Sequence, residues 1–289
     1  MGDAPLITIP GGAGEIMFTV DDYKMINKSG CLEPLMSYIG KHEGGKGGYN
    51  GYNSCYGKHT GGKGGRGGGS SQDASVRKLI EAWGKPFTQM TIQEVWNTQV
   101  EPRSVNYITK SSKDGWRSPS NGCRVFALGK YQLIPGTFQS ATTRIAGLNK
   151  NDIFDEEMQE VFGTYLAIWK RWKQLGKFLF GQHRDIVKAQ LGVAQEWASM
   201  PVAKATTRDG KVVPAGYGYY AGVGINSAKP KLDRMYEVTR LLKKARECFL
   251  ATKGTSNDLI QLAIDRKNKD TAAANARKAA KKAAKKSKK

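Results

Sequence analysis

Leu32-Glu-Pro-Leu-Met-Ser-Tyr-Ile-Gly-Lys-His-Glu43 runs directly into Gly44-Gly45. Its apolar positions Leu32, Leu35, Met36 and Ile39 follow the i, i+3, i+4, i+7 spacing of one helix face, and the paired glycines are a stop signal. The stretch therefore predicts an amphipathic helix that ends on a carboxylate. In the last turn Glu43 meets the negative end of the helix dipole, and both that field and burial disfavour its ionised form. A pKa raised toward neutrality makes Glu43 the candidate catalytic acid. The alternative is a solvated helix-end acid beside Lys41 and His42.

Working outward, residues 1–30 form a lead-in segment in which Glu15–Val20 suits an extended strand and no chemistry is assigned. From 44 to 71 the chain is glycine-rich, with Lys46, Lys58, Lys63, Arg66 and clustered Tyr49, Tyr52 and Tyr56; lacking GxxxxGK[ST], it reads as a flexible insertion beside a cleft. A helix is expected over 76–83 and another from Thr91, where Thr91 and Glu94 form a capping box. The polar stretch 103–124 allows a small strand pair. Further helices follow Pro135, Asp155 and Ile186, and the last covers about 232–250 with Leu232, Met235, Tyr236, Thr239 and Leu242 on its buried side. The stripe Met158, Val161, Phe162, Tyr165, Leu166, Trp169 reads as a core face. Lys204–Val213 reads as a polar hairpin or loop. The fold class is predominantly α (α+β), with several helices around a cleft and a small irregular β region in a catalytic domain over 31–250.

The 46 Lys and Arg outnumber the 25 Asp and Glu, giving +21 and favouring polyanionic partners. Residues 266–289 hold eleven Lys and Arg against Asp270 alone, so 251–289 is expected to be a disordered basic tail that orders on nucleic acid, lipopolysaccharide or cell wall. No apolar run reaches the roughly 18 residues that span a bilayer, and no secretory signal is readable. Cys31, Cys55, Cys123 and Cys248 are scattered without CxxC, and His42, His59 and His183 supply no HExxH, so neither a metal nor a cofactor is expected.

Five segments, in order, resemble the phage lambda-type endolysins, a lysozyme-like lytic transglycosylase family: Tyr38-Ile-Gly-Lys-His-Glu43-Gly-Gly, Thr91-Ile-Gln-Glu-Val, Ala127-Leu-Gly-Lys130-Tyr131-Gln132-Leu133, Phe154-Asp-Glu-Glu-Met-Gln159, and Glu196-Trp197-Ala-Ser-Met-Pro201 with Gly216-Tyr-Gly-Tyr. Lys130 stands where the family has Arg, keeping the charge but losing the planar fork. The resemblance implies a lysozyme-like fold and cleavage of peptidoglycan between N-acetylmuramic acid and N-acetylglucosamine. It assigns Glu43 as the acid, Tyr131 and Gln132 as hydrogen-bonding groups on the sugar, and Lys130 as a partner for a lactyl or stem-peptide carboxylate. Trp197 is either core or cleft wall, while Tyr219 and Tyr220 are expected to face sugar. The enzyme is expected to be made in the cytoplasm and to act in the periplasm or on the wall after delivery, as a phage endolysin with a holin, a virion-associated lysin, or a secreted effector with an immunity protein in its system.

Glycoside hydrolysis ordinarily uses two carboxyl groups. No acid accompanies the Tyr131–Gln132 segment, and Asp73 is the next acid along the chain after Glu43; Glu81, Asp114 and Glu196 are left as groups that folding could bring near. One carboxyl suffices for a lytic transglycosylase, in which the muramic 6-hydroxyl attacks its own anomeric carbon to give a 1,6-anhydro product. A hydrolytic muramidase is the alternative within this class. A noncatalytic nucleic-acid-binding protein, suggested by the charge, is the alternative outside it.

Overall fold

The computed structural model describes residues 18–44, 49–59, 80, 83–100, 123–222, 226, 228–252 and scattered positions between 258 and 280. The expected turn-rich stretch 103–122, most of the glycine-rich segment, the candidate acids Asp73, Glu81 and Asp114, and most of the 76–83 helix lie outside these residues; Ile80 and Trp83 are helical.

Helices dominate. α1 (Val20–Lys28) is opened by a reciprocal capping box between Thr19 and Asp22. Within the expected lead-in segment 1–30, Tyr23 and Ile26 are buried in the main core, and Val20 N–H bonds the Ala146 carbonyl at 3.0 Å. α2 (Glu33–Glu43) follows, with Leu35, Met36 and Ile39 buried as its spacing requires. Gly40 and Gly44 let a neighbouring turn press onto its end, because a Cβ at Gly40 would lie 2.5 Å from Lys130 Cε and one at Gly44 2.8 Å from the Lys130 carbonyl oxygen.

That turn belongs to a short antiparallel pair. After α3 (Tyr49–Tyr52), β1 (Cys55–His59) pairs with β2 (Cys123–Leu128) with a register shift at Tyr56/Gly57. Part of the expected flexible insertion is thus ordered structure: Asn53 and Ser54 are buried, and Asn53 Oδ1 accepts from Thr88 N–H at 3.1 Å. α4 (Ile92–Val100) carries the expected capping box, Thr91 N–H to Glu94 Oε2 at 2.7 Å and Glu94 N–H to Thr91 Oγ1 at 3.2 Å.

α5 (Pro135–Thr142) and α6 (Glu156–Thr164) pack aromatic rings between them. Phe138 meets Phe154 and Phe162 at centroid distances of 5.5 and 5.3 Å. Asp155 caps α6 by accepting from Met158 N–H at 2.8 Å, and the whole stripe from Met158 to Trp169 is buried. Beyond Thr164 the helix widens into π turns over Tyr165–Lys170 and Trp172–Gly176 before α7 (Lys177–Leu179). α8 (Ile186–Glu196) leads to the hairpin β3 (Thr206–Arg208) and β4 (Lys211–Val213), whose turn residues Asp209 and Gly210 both have positive φ.

α9 (Leu232–Ala251) packs on α2 and α8, and Cys248 near its end is disulfide-bonded to Cys31 before α2. Its expected buried face needs correction. Leu232 is 50% and Tyr236 66% exposed, whereas Val238, Leu241, Leu242, Ala245 and Phe249 are buried. The first turn projects beyond the core, where Leu232 covers Gly216 instead. The tail also differs from expectation: described positions between Asp258 and Ala280 are helical and Ile264 packs against the core. Alanine and lysine favour helix, and one apolar anchor offsets part of the charge repulsion.

Candidate functional site

Glu43 ends α2 opposite the loop that follows α8. There the Ser199 N–H donates to Glu43 Oε1 at 2.8 Å. Trp197 N–H and Met200 N–H close that loop onto Val193 and Trp197 carbonyls at 2.9 and 3.0 Å, which fixes where Ser199 points its amide. The Ser199 hydroxyl faces the same carboxyl but forms no well-aligned hydrogen bond.

Burial raises the Glu43 pKa above the ordinary glutamate value, and this outweighs the opposing hydrogen bond from the Ser199 N–H, the nearby Ser199 hydroxyl and the positive charges of Lys231 and Arg234. The last-turn position alone did not reveal those opposing groups. His42 beside it is pushed down to about 4, first by burial and then by Arg234, Lys41 and Lys231. It is neutral at pH 7 and packs edge-on against Tyr38 at 4.6 Å. Glu43 is therefore a carboxyl whose protonated form is favoured more in this site than in water.

The other expected site residues divide sharply. Lys130 is not available to a substrate carboxylate: its ammonium is paired with Glu160 and donates to Tyr52 Oη at 3.2 Å. Tyr131 is 3% exposed and donates to Glu160 Oε2 at 2.5 Å, so its hydroxyl is committed inside the fold. Trp197 is 1% exposed and belongs to the core, its ring 6.4 Å from that of Tyr131. Gln132, at φ +49°, donates to Ser54 Oγ at 3.0 Å and the Gly129 carbonyl at 2.9 Å, which pins the turn after β2.

Tyr219 and Tyr220 are half-buried and meet edge-to-face at 5.1 Å. Tyr220 donates to the Gln195 carbonyl at 2.9 Å, and Arg208 lies over its ring while donating to the Tyr219 carbonyl at 3.1 Å. They remain partly accessible on the α8 side of the molecule.

An acid does accompany Tyr131, contrary to the sequence expectation. Glu160 accepts from Tyr52 at 2.6 Å, from Tyr131 and from Lys130, and so reaches the end of α2 through the Lys130 side chain that packs on Gly40. Glu196, beside Trp197, is held by Lys170 at 2.6 Å and Arg171 at 2.8 Å. Both carboxylates serve as structural acceptors. Replacing Glu160 with Ala should leave a largely buried ammonium and two phenols without their acceptor, costing about 3 kcal/mol. Denaturant unfolding would measure this, and a loss under about 1 kcal/mol would assign the network no structural weight.

Sequence reasoning missed Ser199, Lys231, Arg234 and Glu160. Ser199 lies inside a quoted motif, but nothing local marks its N–H as the partner of an acid 156 residues away. Among the described residues, no three His, Cys, Asp or Glu side chains gather into a group that could hold a metal ion. In comparisons with known proteins, no family model, curated protein or solved structure matches the chain.

Proposed function

We propose that the protein is a peptidoglycan-cleaving enzyme with a lysozyme-like domain, acting as a lytic transglycosylase on the bond between N-acetylmuramic acid and N-acetylglucosamine. The observation that carries this reading is a half-buried Glu43 with a raised pKa, oriented by the Ser199 N–H. Protonated Glu43 gives its proton to the glycosidic oxygen as the C1–O bond breaks. The muramic 6-hydroxyl then bonds to C1 and returns its proton to the Glu43 carboxylate, closing the 1,6-anhydro ring and restoring the acid. Among the described residues, the acids beside the Tyr131 and Trp197 segments, Glu160 and Glu196, are both committed to internal donors, which accords with a one-carboxyl route.

The Cys31–Cys248 disulfide supports action outside the reducing cytoplasm, in the periplasm or on the wall. Delivery there would involve a holin for a lysis enzyme, or an immunity protein in the producing cell for an antibacterial effector. The basic tail would hold the enzyme to anionic envelope polymers such as lipopolysaccharide; its charge also suits nucleic acid.

Digestion of purified sacculi followed by mass spectrometry tests the reaction. Anhydro-muropeptides are expected. Reducing ends would instead establish a muramidase, and no release by the wild-type protein would remove the enzymatic reading in favour of a noncatalytic binder.

A further inference from the structure

Two cations beside Glu43 favour its ionised form but neither donate nor accept the transferred proton. Lys231 Nζ and Arg234 Nη1 both donate to one neutral acceptor, the Ser199 carbonyl, at 3.1 and 3.4 Å. The N–H of that same residue holds Glu43. Both side chains are half-buried, and neither forms a salt bridge among the described residues. The acids on the same helix do not neutralise them: Asp233 is exposed, and Glu237 is taken by Arg240 at 2.7 Å.

Partly desolvated charges facing a carbonyl keep most of their demand for an anion. Lysine offers three donors and arginine five, of which each uses one on Ser199. Glu43 cannot act as the counter-ion while it carries the proton that catalysis requires. Burial chiefly, and then the neighbouring Arg234, lower the Lys231 pKa against the opposing pull of Glu43.

We propose that Lys231 and Arg234 form a carboxylate subsite beside the acid, which selects glycan strands bearing stem peptides over uncharged N-acetylated glycans. The subsite rests on the reading of Glu43 as the glycan-cleaving acid. In peptidoglycan the muramic lactyl group is amide-linked to the peptide, so the anion recognised is a carboxylate of the stem peptide itself. Its placement one residue-width from Glu43 means that the charged peptide and the scissile bond would be registered together. Chitin-type strands offer the same N-acetylated sugars with nothing for these cations to bind.

Initial rates on native sacculi, and on sacculi whose carboxyls have been converted to amides, test the subsite. Amidation should raise the KM of the wild-type enzyme about tenfold, with kcat changed by less than about threefold. The Lys231→Gln/Arg234→Gln double variant should show the raised KM on both substrates. Removing the same number of charges at exposed sites, in Lys150→Gln/Lys188→Gln, should leave the wild-type preference intact. An equal wild-type KM on native and amidated sacculi would overturn the subsite while leaving the enzyme reading in place.

If wild type cleaves neither substrate, the enzyme reading fails and binding decides the subsite. Native sacculi should then be retained more tightly than amidated ones by wild type and by the Lys150/Lys188 control. The double variant should lose that difference, and an unchanged difference would overturn the subsite.

Discussion

Glu43→Gln should reduce glycan release by about 10³-fold or more while leaving the protein folded. The amide oxygen of Gln can still accept the Ser199 N–H that orients Glu43 at 2.8 Å, so the substitution removes a transferable proton and little else. The pH dependence follows from the direction of the shift. The folded-state pKa of Glu43 is raised, chiefly by burial, so the native protein binds a proton that the unfolded chain has already released. That contribution to stability is complete below the unfolded glutamate pKa and is lost as pH rises through the higher folded value. Activity that needs the protonated acid should decline over the same upper range. Wild type should therefore lose melting temperature relative to Glu43→Gln as pH rises above the ordinary glutamate range, with the two converging in acid. Measured release by the variant within tenfold of wild type would exclude Glu43 as the acid. A variant that melts several degrees lower at neutral pH would instead give Glu43 a structural role.

The contrast between Glu43 and its partners shows which kind of information a sequence carries. The helix that presents Glu43 is legible because its burial follows a local period, and Leu35, Met36 and Ile39 are buried as that period demands. The Thr91–Glu94 box, the Asp155 cap and the 204–213 hairpin are legible for the same reason, since their hydrogen bonds close within a few residues. The π turns between Tyr165 and Gly176 keep an apolar stripe that an ordinary helix also has, so nothing in the period separates them.

Partners distant in sequence are hidden. Lys130 and Tyr131 look like substrate groups in a tight turn, but their polar ends are satisfied by Glu160 on a helix some thirty residues later. Lys231 and Arg234 look like ordinary helix-start charges until α9 packs on α2 and sets them around Ser199. Chain topology decides these pairings, and one-dimensional spacing does not encode it.

That packing of α9 on α2 makes reduction of Cys31–Cys248 the second large expected effect. The bond joins residues 217 apart, and on the chain-entropy account closing such a loop stabilises the fold by about 5 kcal/mol as an upper value. For a domain of this size, reduction should lower the melting temperature on the order of 10 °C. Thr252, the C-cap of α9, lies with its hydroxyl 3.7 Å from Cys31 Sγ, so the bond sits at the last turn of the helix. Activity should fall with it, because Lys231 and Arg234 are carried by the other end of the same helix, beside the acid. Scanning calorimetry with and without reductant, on wild type and on Cys31→Ser/Cys248→Ser, separates this bond from any contribution of Cys55 or Cys123. The double variant should melt near reduced wild type and ignore the reductant. An oxidised and a fully reduced wild type that melt together would leave α9 held by Val238, Leu241, Leu242 and Phe249 alone. In that case the lost loop entropy is offset in the unfolded chain, and the bond cannot be what makes the fold suited to an oxidising compartment.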